Sequence, residues 1–309
     1  MQENQQFSLE QAIEHNPLIV APDTPLLEVI KLMSRGWVEN CQLDNDNDAA
    51  SDGNLAIREP NSSCALVIQD SQLTGIFTER DVVRLIATAR KLQGLTIAGV
   101  MSRELITLTT NNNEDIFVAR NLMRQHGIRH LPIMDECNQL LGIVSSESMR
   151  RVLRPTQWLR FCKVAEVMNT QVVHAPPTTS VLETIKLMIR HHTSCVVIVG
   201  ENGQSSTPIG IITERDVVQF QRLELNLATT EAQAVMSMPL FLVSPSDSLL
   251  AVHSLMQEYR VRRLVVAGEQ SELMGIITQT SLLQALDPNE MYGILAKTEE
   301  ASRLHGVRR

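Results

Sequence analysis

Gly75-Ile76-Phe77-Thr78-Glu79-Arg80-Asp81 returns as Gly142-Ile143-Val144-Ser145-Ser146-Glu147-Ser148, as Gly210-Ile211-Ile212-Thr213-Glu214-Arg215-Asp216, and as Gly275-Ile276-Ile277-Thr278-Gln279-Thr280-Ser281. The four glycines stand 67, 68 and 65 residues apart. Upstream of them Val-Met recurs at Val100-Met101, Val167-Met168 and Val235-Met236, and Leu-Met at Leu32-Met33, Leu122-Met123, Leu187-Met188 and Leu255-Met256. Self-similarity at a fixed period marks one supersecondary unit used repeatedly. Four copies of it account for nearly the whole chain.

The third copy shows what the unit is. Pro177 to Ser180 carry helix-start signals, and Val181, Leu182, Ile185, Leu187, Met188 and Ile189 follow, mostly on one side of a helix. Cys195 to Val199 is a short apolar run of the kind a buried strand requires. A turn at Glu201-Asn202-Gly203 leads to a second strand over Ile209 to Ile212, and Thr213 opens another helix through Val217 and Val218. The order is strand, helix, strand, strand, helix, an α/β (α+β) unit with too little core to stand alone. Adjacent copies are therefore expected to pair and bury their sheets. In the first copy an insertion over 38–61 holds Asp44-Asn45-Asp46-Asn47-Asp48. Ala49 and Leu55 stand where a calcium loop needs Gly and Glu, so the insertion reads as a solvated, disordered loop.

Composition narrows the function classes. The chain has 309 residues, 43% hydrophobic and 20% charged, with a formal net charge of −8 and 3% aromatic residues. That balance speaks against an extended nucleic-acid surface, which needs clustered cations and stacking rings. Cys41, Cys64, Cys137, Cys162 and Cys195 form no C-x-x-C pair and read as reduced, mostly buried thiols of a cytoplasmic protein. No apolar run reaches the ~18 residues of a membrane helix, and Met1 to Leu9 lacks a signal pattern. There is no G-x-S-x-G, G-x-x-x-x-G-K-[S/T] or H-E-x-x-H, and no nucleophile pairs with a base by motif. His191-His192 is no metal pair, since neighbours on a helix face different ways.

The Val-Met openings, Gly-Ile-x-Thr-x-x-Asp and Ile128-Arg129-His130-Leu131-Pro132-Ile133 together resemble the cystathionine β-synthase (CBS) domain over about residues 8 to 286. Such domains occur in tandem pairs called Bateman modules. The resemblance implies four CBS repeats in two modules. The first spans 1–152, with repeats near 8–90 and 96–152, and a linker follows over 153–163. The second module spans 164–286, with repeats near 164–222 and 232–286, before a helical tail over 287–309. The layout is similar to the nucleotide-sensing γ subunit of AMP-activated kinase and to sensor regions of bacterial signalling proteins.

The copies differ at two places. The odd repeats end their motif in Asp81 and Asp216, where the even repeats have Ser148 and Ser281. Before the first buried strand the even repeats have Arg129-His130 and Arg262-Arg263, against Ser62-Ser63 and Thr193-Ser194 in the odd ones. Thr-x-x-Asp at a helix start is also a capping box. Capping, however, would serve all four helices alike and gives no reason for a basic pair where Asp is missing. A ribose diol held by Asp and a phosphate held by Arg or His gives one. The resemblance implies two such sites: Thr78 and Asp81 with Arg129 and His130, and Thr213 and Asp216 with Arg262 and Arg263. Adenine is expected near Ile19 to Pro22 and Val173 to Pro176, and the clefts at Ser148 and Ser281 are expected to be empty or weak.

The expected function is a non-catalytic adenine-nucleotide sensor, not an enzyme. Its ligand would be AMP, ADP or ATP, with no metal required and Mg²⁺ accompanying ATP. S-adenosylmethionine and cyclic di-AMP are further ligands of relatives. The expected assembly is a homodimer with a protein effector, without nucleic acid or membrane. The alternatives are a ligand-free dimerisation scaffold, or a regulatory part of a longer signalling enzyme or transporter. Arg150, Arg151, Arg154, Trp158, Arg160 and Lys163 form a solvated linker or a surface for an acidic partner, and Met291, Ile294, Leu295, Ala301 and Leu304 continue as an apolar helical stripe.

Overall fold

Each Gly-Ile-x-Thr stretch forms the second arm of an antiparallel hairpin that ends directly in a helix. The computed structural model describes residues 8–42, 63–88, 91–110, 116–152, 157–202 and 205–285. The first repeat runs β1 (Ile19–Val20), α1 (Leu26–Gln42), β2 (Cys64–Gln69), β3 (Gln72–Thr78) and α2 (Glu79–Ala87). The second runs β4 (Leu108–Thr109), α3 (Ile116–His126), β5 (His130–Met134), β6 (Leu140–Ser145) and α4 (Ser146–Val152). After the short α5 (Val164–Val167), the third comprises β7 (His174–Ala175), α6 (Val181–Arg190), β8 (Cys195–Asn202), β9 (Ser205–Thr213) and α7 (Glu214–Arg222). The fourth comprises β10 (Leu242–Val243), α8 (Leu249–Glu258), β11 (Arg263–Ala267), β12 (Leu273–Thr278) and α9 (Gln279–Ala285). Every repeat makes one three-stranded sheet, with its first strand parallel to the second and the second antiparallel to the third.

The order is the one read from the sequence, with local differences. Ser180 caps α6 by accepting from the Glu183 amide at 3.2 Å, as the start signals predict. Glu201 and Asn202 continue β8 instead of turning. Residues 38 to 42 of the expected insertion belong to α1. The rest of that insertion and the 287–309 stripe lie outside the described residues.

Alternate residues of the central strands serve two different cores, as a two-residue side-chain period demands. In β8, Val196 and Ile198 pack with the helices, while Cys195, Val197 and Val199 pack with Val265 and Ile276 of the fourth repeat. In β2, Ala65 and Val67 face helices while Cys64 and Leu66 meet Ile143 of the second repeat. The sheets of repeats 1 and 2 thus face each other, as do those of 3 and 4, which is why the strand sequences lack polar alternation. Helices make the other junction. α1 and α2 pack on α6 and α7, and α4 on α9, so repeat 1 shares a core with repeat 3, and repeat 2 with repeat 4. Such a pattern is a pseudo-twofold exchanging repeats 1 with 3 and 2 with 4.

The Val-Met and Gly-Ile markers turn out to be two sides of one contact. The segment opening each repeat crosses the third strand of its partner, bridging Ser102 to Ile76, Ser237 to Ile211, Asn169 to Ile276 and Glu14 to Ile143. A side chain on Gly75 or Gly210 would sit 2.2 Å from the sulfur of Met101 or Met236. Repeat 1 uses Ala12-Ile13 in place of Val-Met, and there a Cβ on Gly142 would come within 2.5 Å of the Glu14 carbonyl oxygen. Of the residues read as linker, Arg150 lies buried in α4 and Leu159 and Cys162 are buried against the fourth repeat, while Arg151, Arg160 and Lys163 are exposed. Burial raises the Cys162 thiol to about 11. Cys64 and Cys195 are buried and Cys137 is exposed.

A flexible methionine can yield to an added methyl where a backbone carbonyl cannot. Gly142→Ala is therefore expected to cost about 1–3 kcal/mol by overpacking, and Gly75→Ala less. Denaturant midpoints of the two variants check the ranking.

Candidate functional site

The first turns of α2 and α7 carry the residues singled out by the repeat comparison. The Thr78 amide and hydroxyl both donate to Asp81 Oδ2, at 2.9 and 2.7 Å. The Thr213 amide donates to Asp216 Oδ2 at 2.7 Å, and the Asp216 amide donates back to Thr213 Oγ1 at 3.3 Å. Both are capping boxes, and the even repeats have them too. The Ser145 amide donates to Ser148 Oγ at 2.9 Å and the Ser148 amide to Ser145 Oγ at 3.1 Å, and Thr278 pairs with Ser281 in the same way. All four helices are thus capped alike, because a hydroxyl at the fourth position closes the same box as a carboxylate, and capping alone does not account for Asp in the odd repeats. What Asp adds is charge and a second oxygen. Asp81 Oδ1 lies 3.6 Å from Arg84, and Asp216 Oδ1 accepts from Ser237 at 3.4 Å. Asp216 is buried, and burial pushes its carboxyl upward against the hydrogen bonds from Thr213 and the field of Arg263.

Strand register corrects a second expectation. His130 stands opposite Ser145 while Cys64 stands opposite Thr78, so the counterparts of Arg129-His130 are Ser63-Cys64 rather than Ser62-Ser63. In the other half Arg263 pairs with Thr278 and Cys195 with Thr213, which makes Ser194-Cys195 the counterpart of Arg262-Arg263. His130 Nε2 lies 2.6 Å from Ser63 Oγ, and Arg263 donates to the carbonyl and hydroxyl of Ser194 at 3.1 and 3.2 Å. Burial, then repulsion by Arg129, lowers the His130 pKa to about 3. His130 is thus a neutral hydrogen-bonding group near pH 7, not a second cation.

Where the four repeats meet, charges from all of them interlock. Arg129 of repeat 2 and Arg80 of repeat 1 both reach Glu214 of repeat 3, Arg80 at 3.5 Å. The mirror set is Arg262 of repeat 4 and Arg215 of repeat 3 on Glu79 of repeat 1, at 3.5 and 3.4 Å. Arg262 also contacts Glu147 at 3.1 Å. Burial alone would raise the Glu79 carboxyl, but Arg262, Arg215 and Arg129 outweigh it and hold it low, and Glu147 is held low against burial chiefly by Arg262 and Arg215. The pairs of Glu79 and Glu214 survive burial because each of these two carboxylates has two guanidinium partners. Sequence comparison missed Glu79, Arg80, Glu214 and Arg215. Their signal is the identical Thr-Glu-Arg-Asp of both odd repeats.

Arg129 thus meets the first turn of α7 through Glu214, and Arg262 meets the first turns of α2 and α4 through Glu79 and Glu147, while Arg263 lies close enough to Asp216 for its field to act there. A cavity of about 150 Å³ lies on the Ser145 side of the first two repeats, lined by Glu14, Ser63, His130, Ser145, Glu147, Arg151 and Arg262, with Cys64 and Ile143. There Glu14 Oε1 accepts from Ser145 Oγ at 3.2 Å and from Arg151 at 2.8 Å, so a carboxylate from outside the motif stands beside the repeat that lacks Asp. The expected adenine segments are the edge strands β1 and β7 with the residues after them, Ile19 being 49% exposed. Among the described residues no three His, Cys, Asp or Glu side chains cluster as metal ligands, and no helix is long and apolar enough to cross a membrane.

The CBS domain model matches residues 9–88, 97–155, 164–222 and 232–288. The chain belongs to the CBS domain family. It is 33% identical over 127 residues to an uncharacterized protein of Methanopyrus kandleri, covering 41% of this chain and 63% of that one. It is 29% identical over 205 residues to an uncharacterized 33.4 kDa protein of Thermofilum pendens, covering 61% and 64%. The chain thus spans less than two thirds of the length of these two relatives. Its fold is similar to the crystal structure of a Methanocaldococcus jannaschii protein proposed as an archaeal homolog of g-AMPK, with a TM-score of 0.71 at 18% identity over 90% of this chain and 99% of that one.

Because His130 is held well below its ordinary 6.5, the stability this gives is present above pH 6.5 and is lost as pH falls toward 3. His130→Gln should flatten the fall in melting temperature between pH 6.5 and 4.5, where the wild type loses at most about 1.4 kcal/mol per pH unit from this group.

Proposed function

We propose that the chain is a non-catalytic regulatory protein that binds AMP, ADP or ATP at two sites. One is formed by Thr78, Asp81, Arg129 and His130, the other by Thr213, Asp216, Arg262 and Arg263. The observation that carries this reading is the adjacency of two chemistries on one helical turn. Asp81 and Asp216 each keep a carboxylate oxygen beyond the one used for capping, and the next residue back, Arg80 or Arg215, sits in the guanidinium cluster with Arg129 or Arg262. A carboxylate accepts from a ribose diol and guanidinium groups take a phosphate, so a nucleoside phosphate spans both. Membership of the CBS family supports the same reading. A homodimer and a protein effector complete the proposal.

One observation favours the scaffold reading instead. Both aspartates already cap helices, and Arg80, Arg129, Arg215 and Arg262 already have carboxylate partners, so these groups need no ligand to satisfy them.

The two readings part on a substitution the even repeats supply. Asp81→Ser with Asp216→Ser keeps the capping box and removes the carboxylates. Wild-type protein with AMP, ADP or ATP at a hundredfold its dissociation constant should gain about 2.7 kcal/mol, a clear rise in melting temperature, and the double variant should lose that rise while folding normally. No rise with any nucleotide supports the scaffold.

A further inference from the structure

Arg129 and Arg262 are related by the pseudo-twofold but are held unequally. Among the described residues, Arg129 has one carboxylate in ion-pair range, Glu214, which comes from the opposite half of the chain. Arg262 has two, Glu79 from the opposite half and Glu147 from the second repeat, the latter through both Nε and Nη2 at 3.2 and 3.1 Å. The asymmetry has a sequence cause. In the fourth repeat the position of Glu147 is Thr280, so nothing mirrors the second carboxylate onto Arg129. Arg263 adds a cation at the second site, but its terminal nitrogens are engaged by Ser194.

A guanidinium presents one planar fork, and a carboxylate and a phosphate use the same donors of it. We propose that Glu214 and Glu79 hold the guanidinium groups that a ligand's phosphate would take, each reaching across from the other half, and that the Asp81/Arg129 site fills before the Asp216/Arg262 site because one carboxylate has to be displaced there rather than two. This rests on the nucleotide reading. It also makes filling of the first site an event felt across the molecule, since the tie given up joins repeat 2 to repeat 3. Glu214, 4% exposed, keeps Arg80 at 3.5 Å when Arg129 leaves, so its charge stays compensated. Glu79 likewise keeps Arg215 at 3.4 Å.

The test is calorimetric titration of the full chain with AMP. Asp216→Ser leaves the Arg129 site to be read alone, and Asp81→Ser leaves the Arg262 site. The first protein should bind about tenfold or more tightly than the second, a difference of about 1.4 kcal/mol. Adding Glu214→Gln to the first should tighten AMP binding about tenfold, and adding Glu147→Gln to the second should do the same, because each isosteric change removes a competitor. Melting temperatures establish that each variant is folded. Equal affinities in the two backgrounds, with neither glutamine substitution tightening binding, would overturn the competing role while leaving the nucleotide sites intact. Absence of AMP binding in every folded variant would overturn the nucleotide reading and the competing role with it.

Discussion

The opening segment of each repeat lies directly against a glycine in its partner's third strand, through a methionine side chain at Gly75 and Gly210 and through backbone as well at Gly142 and Gly275, and the rest of the architecture follows from that close approach. With Ser102 bridged to Ile76 and Ser237 to Ile211, no repeat finishes its own sheet edge. The strands so joined bury both faces, one against helices and one against the partner sheet. Once the sheets are paired, the helices have their outer faces free, and these meet across the pseudo-twofold, repeat 1 on 3 and repeat 2 on 4. The first turns of α2 and α7 are thereby brought to the common junction.

Charge at that junction is tolerable because every charged group in it has at least one partner of opposite sign. Four guanidinium groups and three carboxylates share a half-buried space, and removing any one leaves a partner poorly solvated. A protein built solely for stability gains little from such a cluster over packed apolar side chains.

The repeat unit, its strand and helix order and the pairs Thr78/Asp81 and Thr213/Asp216 were legible in the sequence because they rest on local periodicity and on comparison between copies. What was not legible depended on through-space partners. Glu214 meets Arg80 and Arg129 from 134 and 85 residues away, and Arg262 meets Glu79 from 183 residues away. A period of 67 or so says that copies are alike, not which copies touch. The one-residue error in matching Arg129-His130 to the odd repeats has a similar origin, since hairpin register, not proximity to an apolar run, sets equivalence. Ala12-Ile13 escaped notice as the fourth opening because it shares neither letter with Val-Met, although Ile13 fills the same space over Gly142.

The stretch between the second and third repeats gives the fold a property of its chain path. Before the third repeat begins, Cys162 accepts a hydrogen bond from the Leu249 amide at 2.9 Å, Lys163 Nζ donates to the Ser246 carbonyl at 2.8 Å, and Leu159 is fully buried. The polypeptide leaving the first half is thus threaded over the fourth repeat before the third is made. Synthesis from the N-terminus consequently leaves this docking place unfinished until the last repeat emerges, and closure of the two halves becomes a late, concerted event rather than the meeting of two finished pieces.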